Sequence, residues 1–305
     1  MINESFYKGQ DLYTDGDIEE EILSLVRNHD DFTEILAEET RWPVLYHLSP
    51  ERRNLLEWYP FDRTGTLLEI GAGCGALTGL FCEKMNKVVA VELSRKRSEI
   101  IEQRYRNNSN LEILVGNFDD MVFEESFDYV TLVGVLEYAK SFIRANRPCH
   151  HLLHKVCGLL NPSGRLILAI ENKYGLKYWA GAREDHTTEF FGGIQGYAHG
   201  DTSNETFGKQ ELTDLLTLSG FENIHFYYPH PDYKIPHEIF SDYCLPDIHH
   251  ALTEAPNFDR DRMSLFSEKQ TFLGLIRNGM YGFFANSFLI IAAKGKTFAT
   301  DLHKV

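Results

Sequence analysis

The stretch Leu67 to Phe81, LLEIGAGCGALTGLF, sets Gly71, Gly73 and Gly75 at alternate positions directly after an apolar run, with the acid Glu69 just before them. Glycine permits positive φ and lets a ligand approach the main chain closely, so this spacing suits a tight strand-to-helix turn that receives a ligand. Glu92 closes the next apolar run about twenty residues further on, the separation at which a carboxylate accepts from both hydroxyls of an adenosine ribose. A second group, Glu184-Asp185-His186, offers a base: His186 has the pKa to take a hydroxyl proton, with Asp185 or Glu184 to orient its ring.

These residues need a scaffold that gathers loop ends. Short apolar runs alternate with helical patterns: TLLEI at 66–70, a helix from about Ala76 to Met85, KVVAVE at 87–92, a helix from Ser94 to Arg106, and LEILVG at 111–116. YVTLVG at 129–134 follows, then a long helix through Leu160, RLILAI at 165–170, a helix from Lys209 to Leu218, ENIHFYY at 222–228 and SFLIIAA at 287–293. Strand and helix in alternation imply a sheet covered on both faces, so the expected fold is α/β: a Rossmann-like, doubly wound, seven-stranded and mostly parallel sheet. The glycine turn then lies at the carboxyl ends of the strands, where such sheets bind ligands.

Ahead of the sheet, Ile18, Ile22, Leu25 and Val26 share one helical face, and Ser49-Pro50 opens a helix running through Trp58. Residues 1–62 therefore read as an N-terminal helical cap and 63–305 as the sheet domain. Two stretches, 171–208 and 229–284, exceed ordinary connections and are expected to be lids over a substrate. The first collects Tyr174, Tyr178, Trp179, Phe190, Phe191 and Tyr197 among glycines, either a stacking wall for a sugar or other ring or the packing of the lid itself. The second supplies His230, Asp232, Tyr233, Lys234 and His237, while Tyr46 and His47 are candidates to close the cofactor pocket.

Composition narrows the classes. A formal charge of −15 disfavours a protein that grips phosphate backbones or acidic membrane surfaces, so no nucleic-acid partner is expected. No apolar stretch is long enough for a membrane span and the first residues are polar and acidic, which makes a cytoplasmic location the expectation. The five cysteines are scattered without a CxxC pair, and His150/His154, though at helical spacing, lack an acidic third ligand; no metal site is expected.

An adenosine held by Glu92 belongs equally to a nicotinamide dinucleotide or to S-adenosylmethionine. GAGCGA satisfies the dinucleotide pattern G-x-G-x-x-G/A, so an NAD-dependent oxidoreductase stays open, as does a non-catalytic cofactor-binding module. Glu69 and the Asn117-Phe118-Asp119-Asp120 segment count against the dinucleotide. Together, Glu69-Ile70-Gly71-Ala72-Gly73-Cys74-Gly75, Glu92, Gly116-Asn117-Phe118-Asp119 and Val133-Gly134-Val135-Leu136-Glu137-Tyr138 resemble the successive cofactor motifs of class I S-adenosylmethionine-dependent methyltransferases. The resemblance implies that Glu69, the Gly71, Gly73 and Gly75 loop and Val135 line the cofactor site. Glu92 would hold the ribose, and Asn117 and Phe118 would flank the adenine. It lacks the Asn/Asp-Pro-Pro-Tyr motif of amino-methylating nucleic-acid enzymes. ENKYGLKYWAG and FYYPHPDYKIP are similar to a bacterial group associated with glycosyltransferases, which implies a small-molecule or glycan-type hydroxyl acceptor.

Overall fold

Valine, isoleucine and leucine dominate TLLEI, KVVAVE and LEILVG, and side chains of that kind pack well on a sheet buried on both faces. The computed structural model describes residues 2–198, 203–256 and 262–295. Residues 199–202 of the first expected lid, 257–261 of the second and 296–305 lie outside the described residues. The chain divides into two compact units, Met1–Leu132 and Val133–Val305.

The first unit runs β1 (Ile2–Phe6), α1 (Ile18–Asn28), α2 (Thr33–Glu38), α3 (Trp42–Leu48), a 3-10 turn (Pro50–Leu55), β2 (Thr66–Ile70), α4 (Thr78–Lys84), β3 (Lys87–Glu92), α5 (Arg95–Arg104), β4 (Leu111–Gly116) and β5 (Phe127–Val133). Its strands lie in the order β1-β4-β3-β2-β5, every adjacent pair parallel. Ile70 of β2 sits opposite Val91 of β3 on one side and Leu132 of β5 on the other. The chain moves outward from β2 through β3 to β4, then crosses back to β5, so the carboxyl end of β2 is a topological switch point, the place where open α/β sheets bind ligands. The glycine turn begins there.

Residues 1–62 are not purely helical: β1 precedes the helices, and the segment lies within the first compact unit. Ile22, Leu23 and Val26 of α1 share one buried cluster with Val44 and Leu48 of α3, Cys74 of the glycine turn and Ile100 of α5. β1 joins the sheet edge with Ile2 opposite Ile113. The expected helix from Pro50 to Trp58 is the shorter 3-10 turn.

The second unit holds a 3-10 turn (Leu136–Tyr138), α6 (Ala139–Phe142), α7 (Pro148–Leu159), β6 (Leu160–Glu171), α8 (Leu176–Trp179), α9 (Lys209–Leu218), β7 (Asn223–His230), β8 (Glu238–Ser241), α10 (Glu268–Arg277), α11 (Tyr281–Phe284) and β9 (Ser287–Ala293). Here the order is β6-β9-β7-β8, antiparallel throughout. Leu166 to Ile170 of β6 and Phe288 to Ala292 of β9 are completely buried, with Glu171 opposite Ser287 at the end of the pairing. The described residues thus form nine strands rather than seven, β1 and β8 being the additions, and three antiparallel pairs stand beside four parallel ones.

Candidate functional site

The turn after β2 is held from the neighbouring strand: the Gly71 and Ala72 N–H groups both donate to the Val91 carbonyl, at 2.9 and 3.1 Å. Gly71, Gly73 and Gly75 all take positive φ, +73°, +58° and +80°. The reasons for glycine differ. A Cβ on Gly75 would lie 2.9 Å from the Tyr105 ring, whose hydroxyl donates to the Gly75 carbonyl at 2.6 Å, so this glycine serves packing. A Cβ on Gly73 would meet nothing closer than His47 Cε1 at 3.9 Å, which leaves its main chain open to an approaching ligand. Gly75→Ala is expected to cost about 2 kcal/mol or more of stability and Gly73→Ala about 1 kcal/mol. Gly73→Ala should instead fall mainly on cofactor affinity, and urea denaturation beside a calorimetric cofactor titration separates the two effects.

Glu92 fixes the same turn. It is 4% exposed; Oε2 accepts the Gly73 N–H at 2.7 Å and Oε1 the Ser94 N–H at 2.9 Å. Burial pushes its pKa up, against the Arg97 charge and those N–H bonds. The N-terminal segment is tied to the adjoining end of α5: Asp11 accepts from the Arg95 N–H at 2.8 Å and the Ser94 hydroxyl at 2.9 Å. Asp15 accepts from Arg97 at 2.6 Å and lies 3.1 Å from His47 Nε2, while Arg97 Nε donates to buried Glu19 at 2.6 Å. Burial lowers the His47 pKa, so that ring is held as a neutral member of the network.

Glu69 is buried and accepts from the Thr78 hydroxyl at 2.6 Å; desolvation, with the Glu92 charge adding to it, pushes its pKa up to about 8. Asn117 Oδ1 accepts the Asp119 N–H at 3.0 Å, capping the 3-10 turn Phe118–Asp120, and Phe118 is buried with its ring 6.0 Å from that of Phe123. In the second unit Val135 is half-buried and directly precedes the turn that carries Glu137.

A dense polar cluster occupies the second unit. Glu171, the last residue of β6, receives Lys234 Nζ at 2.7 Å and the Tyr233 hydroxyl at 3.3 Å, both on Oε1. Lys234 also pairs with Asp185 at 2.8 Å, Lys177 pairs with Asp185 at 3.1 Å and Asp232 at 2.8 Å, and the Tyr178 hydroxyl donates to Asp185. His186 Nε2 lies 3.8 Å from Glu171 Oε2, and the Tyr138 ring meets the imidazole edge-on at 5.2 Å between centroids. Glu184 accepts the main-chain N–H groups of His186 and Thr187 at 2.8 and 2.6 Å. Burial, followed by the Glu171 charge, pushes Glu137 up to about 8. For His186 burial acts downward but Glu171, Glu137 and Glu184 outweigh it and raise the pKa to about 9. Asp185 is held well below the usual carboxylate range, Lys177 and Lys234 overcoming its burial.

Glu69, Gly71, Gly73, Gly75 and Glu92 are therefore brought together around one strand end, with Asn117 and Phe118 following β4 in the same unit. The pairing expected between His186 and Asp185 is replaced by another: Asp185 is engaged by two lysines and a tyrosine, and the carboxylate facing the imidazole is Glu171. Sequence reasoning named Lys234 and carried Glu137 only within a cofactor motif; it passed over Glu171, Lys177 and the grouping of these residues. The available signal was an acid just after one apolar strand, GVLEY, and another ending the next, AIEN.

A glycine turn at a switch point, with a buried carboxylate ending the adjacent parallel strand, defines a Rossmann-like nucleotide-cofactor protein. Residues 68–168 match the methyltransferase domain model Methyltransf_11. The malonyl-[acyl-carrier protein] O-methyltransferase of Priestia megaterium is 25% identical over 111 residues, 36% of this chain and 38% of that protein. The ribosomal RNA small subunit methyltransferase A of Geobacter metallireducens is 29% identical over 83 residues, 27% of this chain and 29% of that protein. The chain thus spans well under half the length of these curated relatives. Among solved structures, Haemonchus contortus phosphoethanolamine N-methyltransferase 1, in complex with phosphoethanolamine and S-adenosylhomocysteine, superposes with a TM-score of 0.50 at 12% identity, covering 94% of this chain and 52% of that one. Over residues 68–168 the chain is thus similar to methyltransferase domains, and the solved structure shows a likeness of fold alone. Among the described residues no helix is long and apolar enough to cross a membrane.

Proposed function

We propose that the protein transfers a methyl group from S-adenosylmethionine to a hydroxyl, and less readily to an amine, of a small-molecule or glycan-type acceptor. The observation that carries the acceptor assignment is the cluster of the second unit. Glu137 Oε2, Glu171 Oε2 and His186 Nε2 are buried without a hydrogen-bond partner, and unsatisfied buried groups of this kind cost about 1–3 kcal/mol each. A hydroxylated acceptor donates to one such atom and accepts from another. Methyl transfer is an in-line displacement: the acceptor oxygen bonds to the methyl carbon, the carbon–sulfur bond breaks, and S-adenosylhomocysteine departs. The hydroxyl proton passes to the neutral form of His186, so turnover rises with pH towards about 9; Glu171 faces the imidazole, and Asp185 acts at one remove through Lys234, which bridges both carboxylates.

The stretches 171–208 and 229–284 are assigned to acceptor selection, in keeping with the resemblance to a glycosyltransferase-associated bacterial group. A net charge of −15 supports a small or glycan acceptor over RNA, although several relatives are ribosomal RNA methyltransferases. Labelled methyl from S-adenosylmethionine, offered against saccharides, small alcohols, amines and ribosomal RNA, tests the assignment. Incorporation into hydroxylated small molecules or glycans is expected. Incorporation into RNA alone sinks it, and a calorimetric preference for NAD favours the oxidoreductase.

A further inference from the structure

We propose that Glu137, Glu171 and His186 form a binding site for one divalent first-row transition ion. The three residues come from separate segments: the turn Leu136–Tyr138, the carboxyl end of β6, and the loop after α8. Each presents a ligand atom, and these atoms all lie within 4.8 Å of one another. Glu137 and Glu171 are 1% exposed and the His186 side chain 7%. Each leaves one atom without a hydrogen-bond partner: Glu137 Oε2, Glu171 Oε2 and His186 Nε2. The 3.8 Å between His186 Nε2 and Glu171 Oε2 is too long for a hydrogen bond. It falls within the range set by two donors that each sit about 2.0–2.2 Å from a shared ion.

The neighbouring charges are already matched: Lys177 and Lys234 pair with Asp185 and Asp232 at 2.8–3.1 Å, which leaves Glu137 and Glu171 as the acids beside His186. An ion bound there displaces the protons its ligands otherwise carry. Glu184 is separately engaged by two main-chain N–H groups and the Tyr197 hydroxyl. The supporting contacts are those a ligand set needs: Lys234 and Tyr233 hold Glu171 through Oε1 and leave Oε2 for the ion, and the Tyr138 ring fixes the imidazole from its edge.

One imidazole nitrogen with two carboxylate oxygens suits manganese, iron, cobalt or zinc better than calcium or magnesium, which favour all-oxygen shells. Three protein ligands leave positions open for water and for a substrate oxygen, whose hydroxyl pKa the ion lowers. That last role rests on the hydroxyl-acceptor reading above and takes the place of His186 as base, because an Nε2 bound to an ion accepts no proton. The ion site itself does not rest on that reading.

The test is a titration of the purified full-length chain with Co²⁺, without S-adenosylmethionine, read by visible d–d absorption. Uptake of one Co²⁺ per chain is expected, weakened at least tenfold in His186→Ala and Glu171→Gln and unchanged in His154→Ala on α7. Near-ultraviolet circular dichroism and an S-adenosylhomocysteine titration establish that the variants fold. Should either variant fail to fold, paramagnetic shifting of the His186 ring protons in the unaltered protein carries the test. Failure of the folded protein to take up Co²⁺, uptake indifferent to both substitutions, or paramagnetic shifts at His150 and His154 instead would each overturn the site. No turnover is measured, so loss of the ion site leaves the methyl-transfer assignment standing, and the reverse.

Discussion

Glu92→Ala is expected to weaken S-adenosylhomocysteine binding about 100- to 20,000-fold. A carboxylate that accepts from both ribose hydroxyls makes two charge-assisted hydrogen bonds, each worth about 1.5–3 kcal/mol, and their loss corresponds to that range of affinity. The same carboxylate holds the Gly73 and Ser94 N–H groups, so the variant also frees the glycine turn. Stability should move less than affinity. Removal leaves two N–H groups without their partner but also abolishes the desolvation of a buried acid whose pKa is already raised. Glu92→Gln sharpens the comparison, because its amide nitrogen must face a main-chain N–H in place of an acceptor and should cost nearly as much binding as alanine. Isothermal calorimetry with the cofactor product, beside thermal unfolding of each variant, reads both quantities. A folded Glu92→Ala protein that binds S-adenosylhomocysteine as tightly as the unaltered chain would reduce Glu92 to an anchor of the glycine turn.

The reasons the glycine turn was legible in sequence and the polar cluster was not are physical. Gly71 to Gly75 and Glu92 lie on consecutive strand–turn–helix units, so their relation is fixed by local spacing: a run of five apolar-rich residues, a turn, a helix, and a second run whose last residue stands level with the turn. Long apolar strands such as β2, β3, β4 and β9 are legible for the same reason, since burial on both faces demands continuous hydrophobicity. β1 escapes that logic. INESF has only Ile2 and Phe6 to offer a core, and an edge strand half in contact with solvent needs no more. β8, EIFS, is shorter still and joins the edge beyond β7. The polar cluster is harder still, because Glu137, Glu171, Asp185, His186 and Lys234 are set against one another by tertiary folding rather than by any period in the chain. Adjacency in sequence paired His186 with Asp185, whereas successive residues of a loop point in different directions, and the imidazole meets Glu171 while Asp185 meets Lys177 and Lys234.

Glu69→Gln is expected to flatten the pH dependence of stability between about pH 5 and 8. In the folded chain desolvation holds the Glu69 pKa at about 8, well above the 4.5 of a free side chain, so the folded state keeps a proton that the unfolded state has lost. Below pH 4.5 the carboxyl is protonated in both states and Glu69 exacts no penalty. As pH rises through the window the unfolded chain alone ionises, and stability falls by about 1.4 kcal/mol per unit until the folded pKa is reached. Across pH 5 to 8 that amounts to about 3–4 kcal/mol, which glutamine, neutral throughout, does not lose. The Thr78 hydroxyl donates to Glu69 Oε2, and a glutamine carbonyl placed there accepts the same bond, so the substitution keeps the link between β2 and α4. Urea unfolding of both proteins at pH 5, 6.5 and 8 measures the effect, with the variant gaining on the unaltered chain at each step upward. Parallel pH profiles would show that Glu69 is ionised in the folded protein, and the Thr78 hydroxyl would then be bonded to a buried charge.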